Sequence, residues 1–238
     1  GQIKYKKPIL VGDFKFTKKY AKGISKIGLP GPSTVVDCIV DDYYKDLEKL
    51  AFDYAKAIRS EVAALIQADC KVIQFDDPVL IRYPYRAVEW GLKAIEACFK
   101  GFENQATFIV HICCGYPNKP LEKKGISYKA NNDYYADVLK WFSHSKLDAV
   151  SIEGAQSNLD LSILPSIGKK TVMLGVLDVG ENRVESVEEL VNRGKEALKY
   201  LPKNQLILAP DCGMLELTRR AAKAKLKNMA KAAKELNR

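Results

Sequence analysis

The amino-acid sequence predicts an α/β fold and, within that class, a (β/α)8 TIM barrel. Short apolar runs typical of buried strands alternate with segments whose apolar residues recur every three or four positions. This alternation predicts a parallel sheet covered by helices. Side chains able to do chemistry follow at least four of the predicted strands. That distribution favours a barrel over an open sheet, because barrel active sites gather residues from many strands onto one face.

The predicted elements follow one another regularly along the chain. The predicted strands or extended segments cover residues 9–13, 23–29, 71–75, 108–113, 148–154, 171–178 and 206–212. The predicted helices cover residues 41–68, 87–99, 133–142, 186–200 and a C-terminal segment. Asp41 or Asp42 can cap the first of these helices, and a capping box of Ser186 and Glu189 opens the fourth.

Composition is that of an ordinary globular protein. Of 238 residues, 47% are hydrophobic and 28% are charged. No apolar run approaches the ~20 residues that span a bilayer, and neither a GxGxxG fingerprint nor a Walker phosphate loop marks a nucleotide site. Six cysteines in a chain of this length indicate reduced thiols rather than a disulfide framework. We therefore expect a cytoplasmic protein without a membrane partner.

Much of the net charge of +9 falls in the predicted C-terminal helix. Its lysines and arginines, Lys225 among them, are expected to form a solvated basic face. Clustered arginines and aromatic platforms, which nucleic-acid binding uses, are lacking there, so no nucleic-acid partner is expected. The apolar residues of this helix recur at three-to-four-residue spacing and predict one core stripe, made of Ala222, Leu226, Met229, Ala233 and Leu236.

Residues that can bind a transition metal end three of the predicted strands. His111 and Cys113 end one strand, Glu153 another, and Cys212 the last. Imidazole, thiolate and carboxylate groups all bind zinc, and parallel α/β folds build sites at the C-terminal ends of their strands. Core packing explains each cysteine taken alone, so both interpretations stay open at this point.

Alternation along a strand separates the neighbouring thiols of Cys113 and Cys114. Side chains two residues apart share one face of a strand, which places Cys113 with His111 and turns Cys114 away. The four cysteines left over are expected to pack in the core: Cys38, Cys70, Cys98 and Cys114.

Five segments, in this order, resemble the catalytic barrel of the cobalamin-independent methionine synthase family. Together with Pro8–Asp13 and Gly31-Pro32 they extend the resemblance over nearly the whole chain. The chain is most similar to the short single-barrel relatives, which have a longer loop after the H-x-C motif, as residues 115–132 provide here. The five segments are Gln74-Phe-Asp-Asp-Pro78, His111-Ile-Cys113, Ser151-Ile-Glu153, Gly175-Val-Leu-Asp178 and Pro210-Asp-Cys-Gly213.

This resemblance implies a zinc-dependent methyltransferase that activates a thiol, homocysteine, as a zinc thiolate and methylates it to methionine. The implied ligands of Zn²⁺ are His111, Cys113, Glu153 and Cys212. Asp76 and Glu153 are the candidate catalytic residues. The resemblance implies that Asp76 binds the amino group of the substrate, and the chemistry of a carboxylate ligand leads to the hypothesis that Glu153 moves away when substrate arrives. The implied partners are the small-molecule thiol and a methyl donor, either a folate or a corrinoid carrier. Formation of a homo-oligomer is left open.

Two departures from the family pattern bear on function. Gly180 stands where methionine synthases have a histidine thought to help protonate the folate leaving group, which leaves the donor open. The family's first two strands have no counterpart before Gly1, so we expect one N-terminally incomplete barrel domain over residues 1–238, lacking its first one or two strands. Two alternative functions are alkyl transfer to another small thiol, of the epoxide–thiol transferase type, and a non-catalytic role in which zinc is structural.

Overall fold

The computed structural model describes residues 1–116, 122–126 and 129–238. Part of the predicted polar loop over residues 115–132 therefore lies outside the described residues. Strand pairs β1–β2, β2–β3 and β5–β6 are parallel, and helical segments separate the strands along the chain, as predicted for the α/β class. The described strands form one six-stranded sheet in chain order: β1 (Lys26–Pro30), β2 (Val72–Asp76), β3 (Thr107–Ile112), β4 (Ala149–Ile152), β5 (Thr171–Leu177) and β6 (Leu206–Pro210).

The chain divides into two compact units whose boundary falls within β3. The first unit comprises Gly1–His111 with His144–Ala149, and the second comprises Ile112–Ser143 with Val150–Arg238. A single barrel domain over residues 1–238 stays a prediction. None of the described helices is long and apolar enough to cross a bilayer.

The first unit holds six α-helices among its described residues: α1 (Val11–Tyr20), α2 (Pro32–Cys38), α3 (Leu47–Gln67), α4 (Val79–Arg82), α5 (Pro84–Arg86) and α6 (Leu92–Ala97). Its core includes stacked rings of Phe75, Phe99 and Phe108. The ring centroids of Phe99 and Phe108 lie 4.3 Å apart, and those of Phe75 and Phe99 lie 5.9 Å apart. Aromatic rings at these distances stabilise the core beyond the area they bury.

The predicted first strand over residues 9–13 is wrong, because α1 begins at Val11. The carboxylate of Glu61, which is 1% exposed, accepts the backbone N–H groups of Ile9 at 2.9 Å and Leu10 at 2.8 Å. Backbone N–H groups at the start of a helix have no partner within the helix, so the carboxylate of Glu61 satisfies donors that α1 itself cannot. The partner lies far away in α3, so the local apolar run gave no sign of it.

Two predicted helices are confirmed with differences in detail. α3 starts at Leu47 rather than near residue 41, because Asp46 accepts the N–H of Lys49 and caps it. The helix predicted over residues 87–99 opens with a π-helical turn, Ala87–Gly91, before α6. The extra residue in that turn rotates the predicted apolar stripe, and Val88 is 54% exposed.

The second unit contains α7 (Tyr135–Ser143), α8 (Val187–Ala197) and α9 (Arg219–Leu236), together with 3₁₀ turns at Leu161–Ile167 and Lys203–Gln205. The predicted capping box at the start of α8 is confirmed: Ser186 accepts the N–H of Glu189, and the Glu189 carboxylate accepts the N–H of Ser186.

The predicted faces of α9 are wrong in part. Lys225, assigned to the solvated face, is 0% exposed, whereas Leu226, assigned to the core, is 43% exposed. The amine of Lys225 donates to both carboxylate oxygens of Glu185 at 2.9 and 3.0 Å and to the carbonyl of Asp178 at 2.8 Å. A buried charge needs such a partner, and Glu185 provides it, which accounts for a lysine on the inner face of α9.

All six cysteines lie among the described residues and are free thiols, as predicted. Cys70, Cys98 and Cys114 are buried, as expected for packing residues. Cys38 is exposed at the last position of α2, so the prediction that it packs in the core is wrong.

Candidate metal centre

Three of the predicted ligands lie together where β3 and β6 end. His111 belongs to β3, Cys113 follows that strand, and Cys212 follows β6. One ligand atom from each side chain, a ring nitrogen and two sulfurs, lies within 4.8 Å of the other two. Ligands of a tetrahedral zinc ion at roughly 2.0–2.3 Å from the metal lie ~3.5 Å apart, so small side-chain movements suffice. The donor set of one imidazole and two thiols is also chemically suited to zinc.

Cys212 perturbs the thiol of Cys113. The hydrogen bond with Cys212, followed by burial, raises the pKa of the Cys113 thiol far above its ordinary value. Burial raises the pKa of Cys114 to about 11. A thiol in this state is protonated at neutral pH, so binding of a metal ion by Cys113 would release a proton. Cys114 is not in the group.

Glu153, the fourth predicted ligand, lies outside this group among the described residues. It follows β4 directly and is 1% exposed. Its Oε1 atom accepts a hydrogen bond from the amine of Lys129 at 2.6 Å, and its Oε2 atom accepts the backbone N–H of Cys114 at 3.2 Å. The carboxylate is thus held beside the strand that carries Cys113, with Lys129 as its counter-ion. Its role as a ligand stays a prediction.

Asp211 fixes the turn that follows Glu153. Its buried carboxylate accepts the N–H groups of Gly154, Ala155 and Gln156 at 3.0, 2.9 and 2.6 Å. Burial, only partly opposed by these bonds, raises the pKa of Asp211 to about 6. The sequence analysis assigned no role to Asp211. An acidic residue at the end of an otherwise apolar strand was nevertheless a signal that its carboxylate binds nearby backbone amides.

A glycine on β5 makes room for the Asp211 carboxylate. A Cβ atom at Gly175 would lie 2.2 Å from the Oδ1 atom of Asp211, closer than any side chain could tolerate. The backbone at Gly175 therefore packs directly against Asp211, which belongs to the segment Pro210-Asp-Cys-Gly213. Together they determine where Cys212 and the Glu153 turn lie within the second unit.

Asp76, the predicted substrate-binding residue, is the last residue of β2 in the first unit. In the parallel register it is the partner of His111, so both residues share one face of the sheet. Its Oδ1 atom accepts the side-chain N–H of Gln74 at 2.6 Å. Its Oδ2 atom lies 3.1 Å from where a Cβ of Gly28 would be. The absence of a side chain at Gly28 leaves space beside this carboxylate.

Asp77 differs from Asp76 in its burial and in its hydrogen-bond partners. It is 0% exposed and accepts the N–H of Ser33 at 3.1 Å, the N–H of Thr34 at 2.7 Å and the hydroxyl of Thr34 at 2.9 Å. It thereby caps the start of α2 from the position directly after β2. Its burial raises its pKa to about 6. Asp77 is a structural residue, whereas Asp76 is half-buried and adjoins the metal-binding face.

A cavity of about 420 Å³ lies in the second unit beside Gly180. Its walls include Lys123, Gln156, Asp178 and Glu181. The side chain of Gln156 approaches Gly180 so closely that a Cβ there would lie 2.2 Å from its Nε2 atom. The neutral amide of Gln156 therefore fills part of the space beside Gly180, the position at which the family resemblance implies a histidine.

Comparison with known proteins identifies the family. The model of the family described as "Cobalamin-independent synthase, Catalytic domain" matches residues 1–235. The methionine synthase of Saccharolobus solfataricus is 32% identical over 237 residues, which cover 98% of this chain and 65% of that protein. The methionine synthase of Thermococcus kodakarensis is 31% identical over 232 residues, with coverage of 97% and 63%. The chain spans slightly less than two thirds of the length of these relatives.

Solved structures agree with this assignment. The B12-independent methionine synthase of Shewanella sp. W3-18-1, in complex with selenomethionine, has a TM-score of 0.92 at 30% identity, covering 100% of this chain and 69% of that chain. A methyltransferase from Methanosarcina mazei, at 18% identity and a TM-score of 0.66, shares the fold. These likenesses confirm the predicted α/β fold of TIM-barrel type. The chain belongs to the cobalamin-independent methionine synthase family, in the region of its catalytic domain.

Proposed function

We propose that this chain carries the catalytic centre of a zinc-dependent methyltransferase that converts homocysteine to methionine. One observation carries the proposal: the ligand atoms of His111, Cys113 and Cys212 lie within 4.8 Å of one another. Membership of the methionine synthase family supports the same reaction. A bound Zn²⁺ supplies a Lewis acid that lowers the pKa of the substrate thiol, so that its sulfur can attack a methyl group at neutral pH.

The chain's own residues hold the reactants. His111, Cys113 and Cys212 provide three ligands, and a catalytic zinc site keeps one further position for substrate. Two anionic sulfur ligands keep the metal centre electron-rich, which preserves the nucleophilicity of a third sulfur. Asp211 keeps the Glu153 turn in place through three backbone hydrogen bonds. Glu153 is proposed to serve as the ligand that is present before the thiol arrives and leaves when it binds.

Asp76 is proposed to bind the ammonium group of homocysteine. It shares a sheet face with His111, and a half-buried carboxylate beside the metal-binding face can form a charge-assisted hydrogen bond with an ammonium group. The relative from Shewanella was solved with selenomethionine, an amino acid with the backbone of the proposed product. That complex supports a site for an α-amino acid in this family.

The methyl donor is a folate or a corrinoid carrier. Departure of a tetrahydrofolate needs a proton, and Gly180 together with the Gln156 amide offers none at the position of the family's histidine. This favours a donor whose leaving group needs no proton, such as a methylcorrinoid. Methyl transfer from methyltetrahydrofolate and from methylcobalamin to homocysteine, measured in parallel, tests this choice. If methyltetrahydrofolate donates its methyl group and methylcobalamin does not, the choice of a corrinoid donor is contradicted.

X-ray absorption at the zinc edge tests the metal centre and the thiol together. In the zinc-loaded protein the count of sulfur ligands is expected to rise from two, Cys113 and Cys212, to three when homocysteine is added. Methionine, which has no thiol, serves as the control. A zinc ion whose shell does not change with any thiol would contradict the proposal and indicate a structural site.

Replacement of two neighbouring thiols gives a matched pair of variants. Cys113→Ser removes a member of the ligand group and is expected to abolish zinc retention after dialysis, measured by elemental analysis. Cys114→Ser alters a buried thiol outside the group and is expected to keep the metal. Equal zinc contents in the two variants would contradict the proposed ligand set.

A further inference from the structure

The carboxylate of Glu153 has two donors that a metal ion would have to replace or share. Lys129 donates to Oε1 at 2.6 Å and the N–H of Cys114 donates to Oε2 at 3.2 Å. The side chain of Lys129 is 21% exposed, whereas the side chain of Glu153 is 2% exposed. The ion pair therefore neutralises a buried negative charge from the solvent side. The carboxylate that Lys129 neutralises is bound by the N–H of Cys114, the residue next to Cys113, and its charge helps to raise the pKa of the Cys113 thiol.

Lys129 is held in place by a second acceptor. Its amine also donates to the side-chain oxygen of Gln156 at 2.8 Å. The backbone N–H of Gln156 is in turn bound to Asp211 at 2.6 Å, and its amide nitrogen occupies the space left by the missing Cβ of Gly180. The amine of Lys129 is thus fixed between two oxygens of the Glu153 turn. It does not belong to a freely moving surface side chain.

We propose that Lys129 is a positioning residue that competes with the metal ion for Glu153. The inference rests on the proposed zinc centre. A carboxylate oxygen bonded to an ammonium group is a poorer metal ligand, and a cation close to a divalent ion weakens its binding electrostatically. Lys129 thereby keeps the carboxylate ready to leave the metal, so that the substrate thiol can take its position. Sequence reasoning missed this residue, because nothing distinguishes it from the other lysines of a polar loop.

Zinc affinity of the apoprotein tests the inference without any assay of turnover. The full chain is stripped of metal and titrated against a chromophoric zinc chelator. Lys129→Met removes the competing cation and is expected to bind zinc about tenfold more tightly than the parent. Lys129→Arg keeps a cation at the same place and is expected to remain within about threefold of the parent. Lys124→Met changes an exposed lysine of the same loop and is expected to have no effect.

A second measurement reports on the freed position. Homocysteine is titrated into zinc-loaded protein while the sulfur count of the zinc shell is followed by X-ray absorption. Lys129→Met is expected to need about tenfold more homocysteine than the parent, because Glu153 then stays on the metal. Compared with Glu153→Gln alone, the double variant Lys129→Met/Glu153→Gln is expected to lose the effect on homocysteine and to keep only a small part of the gain in zinc affinity, because only the direct repulsion between the two cations is then removed.

The outcomes separate this inference from the proposed function. If the parent binds zinc and the thiol but Lys129→Met leaves both affinities unchanged or lowers that for zinc, the role of Lys129 is overturned and the zinc centre stands. If the full tenfold gain in zinc affinity persists when the double variant is compared with Glu153→Gln, Glu153 is not the group for which Lys129 competes, and the inference also fails. A parent protein that binds no zinc would overturn both. Should Lys129→Met fail to fold, as judged by circular dichroism, Lys129→Gln serves the same comparison.

Discussion

Asp76 and Asp77 are adjacent in sequence but differ in what surrounds their carboxylates. The Asp77 carboxylate is enclosed by backbone and hydroxyl donors of α2, whereas Asp76 lies at the strand end beside Gln74 and Gly28. Alternation of side chains along an extended segment explains the difference, since neighbours point to opposite faces. At the scale of single residues, one carboxylate builds the fold, and the other lies half-buried at the end of β2 on the face that carries His111.

Substitution of Asp76 by Asn is expected to weaken homocysteine binding about 10- to 100-fold. A charge-assisted hydrogen bond contributes roughly 1.5–3 kcal/mol, and each ~1.4 kcal/mol corresponds to a factor of ten. Calorimetric titration of the zinc-loaded protein measures this effect. Mercaptopropionate, which has a thiol but no amino group, should bind the parent and Asp76→Asn almost equally. An equal loss for both thiols would mean that Asp76 supports the local structure rather than the ammonium group.

The start of α2 depends on a residue outside the helix, and this gives a pH dependence. Burial raises the pKa of Asp77 to about 6 from an ordinary value of 3.8. The folded state therefore holds its proton more tightly than the unfolded chain. The stabilisation is complete below pH ~4 and is lost as the pH rises through ~6, because ionisation of the buried group then opposes folding.

Urea unfolding of the parent and of Asp77→Asn tests this dependence. The variant has no titrating group at this position, so the parent's free energy of unfolding, relative to the variant, should fall by roughly 2.5 kcal/mol between pH 4 and pH 7. Asp13→Asn, at an exposed position of α1, is the control and should follow the parent. A constant difference between parent and Asp77→Asn across this range would contradict the assignment.

Helix α9 shows what periodicity can and cannot predict. The spacing of apolar residues located the helix, but it assigned Leu226 to the core and Lys225 to solvent. A hydrophobic pattern cannot predict that a lysine is buried when its ion-pair partner, here Glu185, lies in a distant segment of the chain. The same limit explains α1, whose start depends on Glu61 of α3, and the Lys129 contact with Glu153. In each case the deciding interaction joins residues far apart in sequence.

Lys225→Met is expected to destabilise the protein by about 3–5 kcal/mol. The substitution leaves the buried carboxylate of Glu185 without its counter-ion, and loss of one partner of a buried pair costs this much. Urea unfolding at pH 7 gives the value. Lys227→Met, two residues along the same helix and exposed, should change the free energy of unfolding by less than ~0.5 kcal/mol.

The double variant Lys225→Met/Glu185→Gln checks the cause of that loss. It removes the stranded charge and should recover part of the stability lost in the single variant. If it is as unstable as the sum of the two single variants, the destabilisation arises from packing of the lysine stem and not from the unpaired carboxylate.

At the scale of the whole molecule, sequence physics predicted the alternation of strands and helices and the clustering of ligands at strand ends. Five of the six strands of the sheet, from β2 onward, were located within a few residues by their apolar runs, and β1 was identified as an extended segment. His111, Cys113 and Cys212 are brought together because parallel strands end on one edge of a sheet. The arrangement of Glu153 was not predictable from periodicity, because it depends on a lysine in an irregular loop.

Removal of metal is expected to lower the stability of the whole chain. Cys113 and Cys212 lie far apart in sequence, so a metal ion that joins them favours the folded state over the unfolded one. At a free zinc concentration 100 times the dissociation constant, the gain is ~2.7 kcal/mol, which corresponds to a rise in Tm of roughly 5–10 °C for a chain of this size. Thermal unfolding with zinc and with excess chelator measures the difference. Cys212→Ser should show no response to zinc, whereas Cys38→Ser, which changes an exposed thiol outside the ligand group, should respond like the parent. A zinc-dependent rise in Tm that survives in Cys212→Ser would mean that the stabilising metal binds elsewhere on the chain.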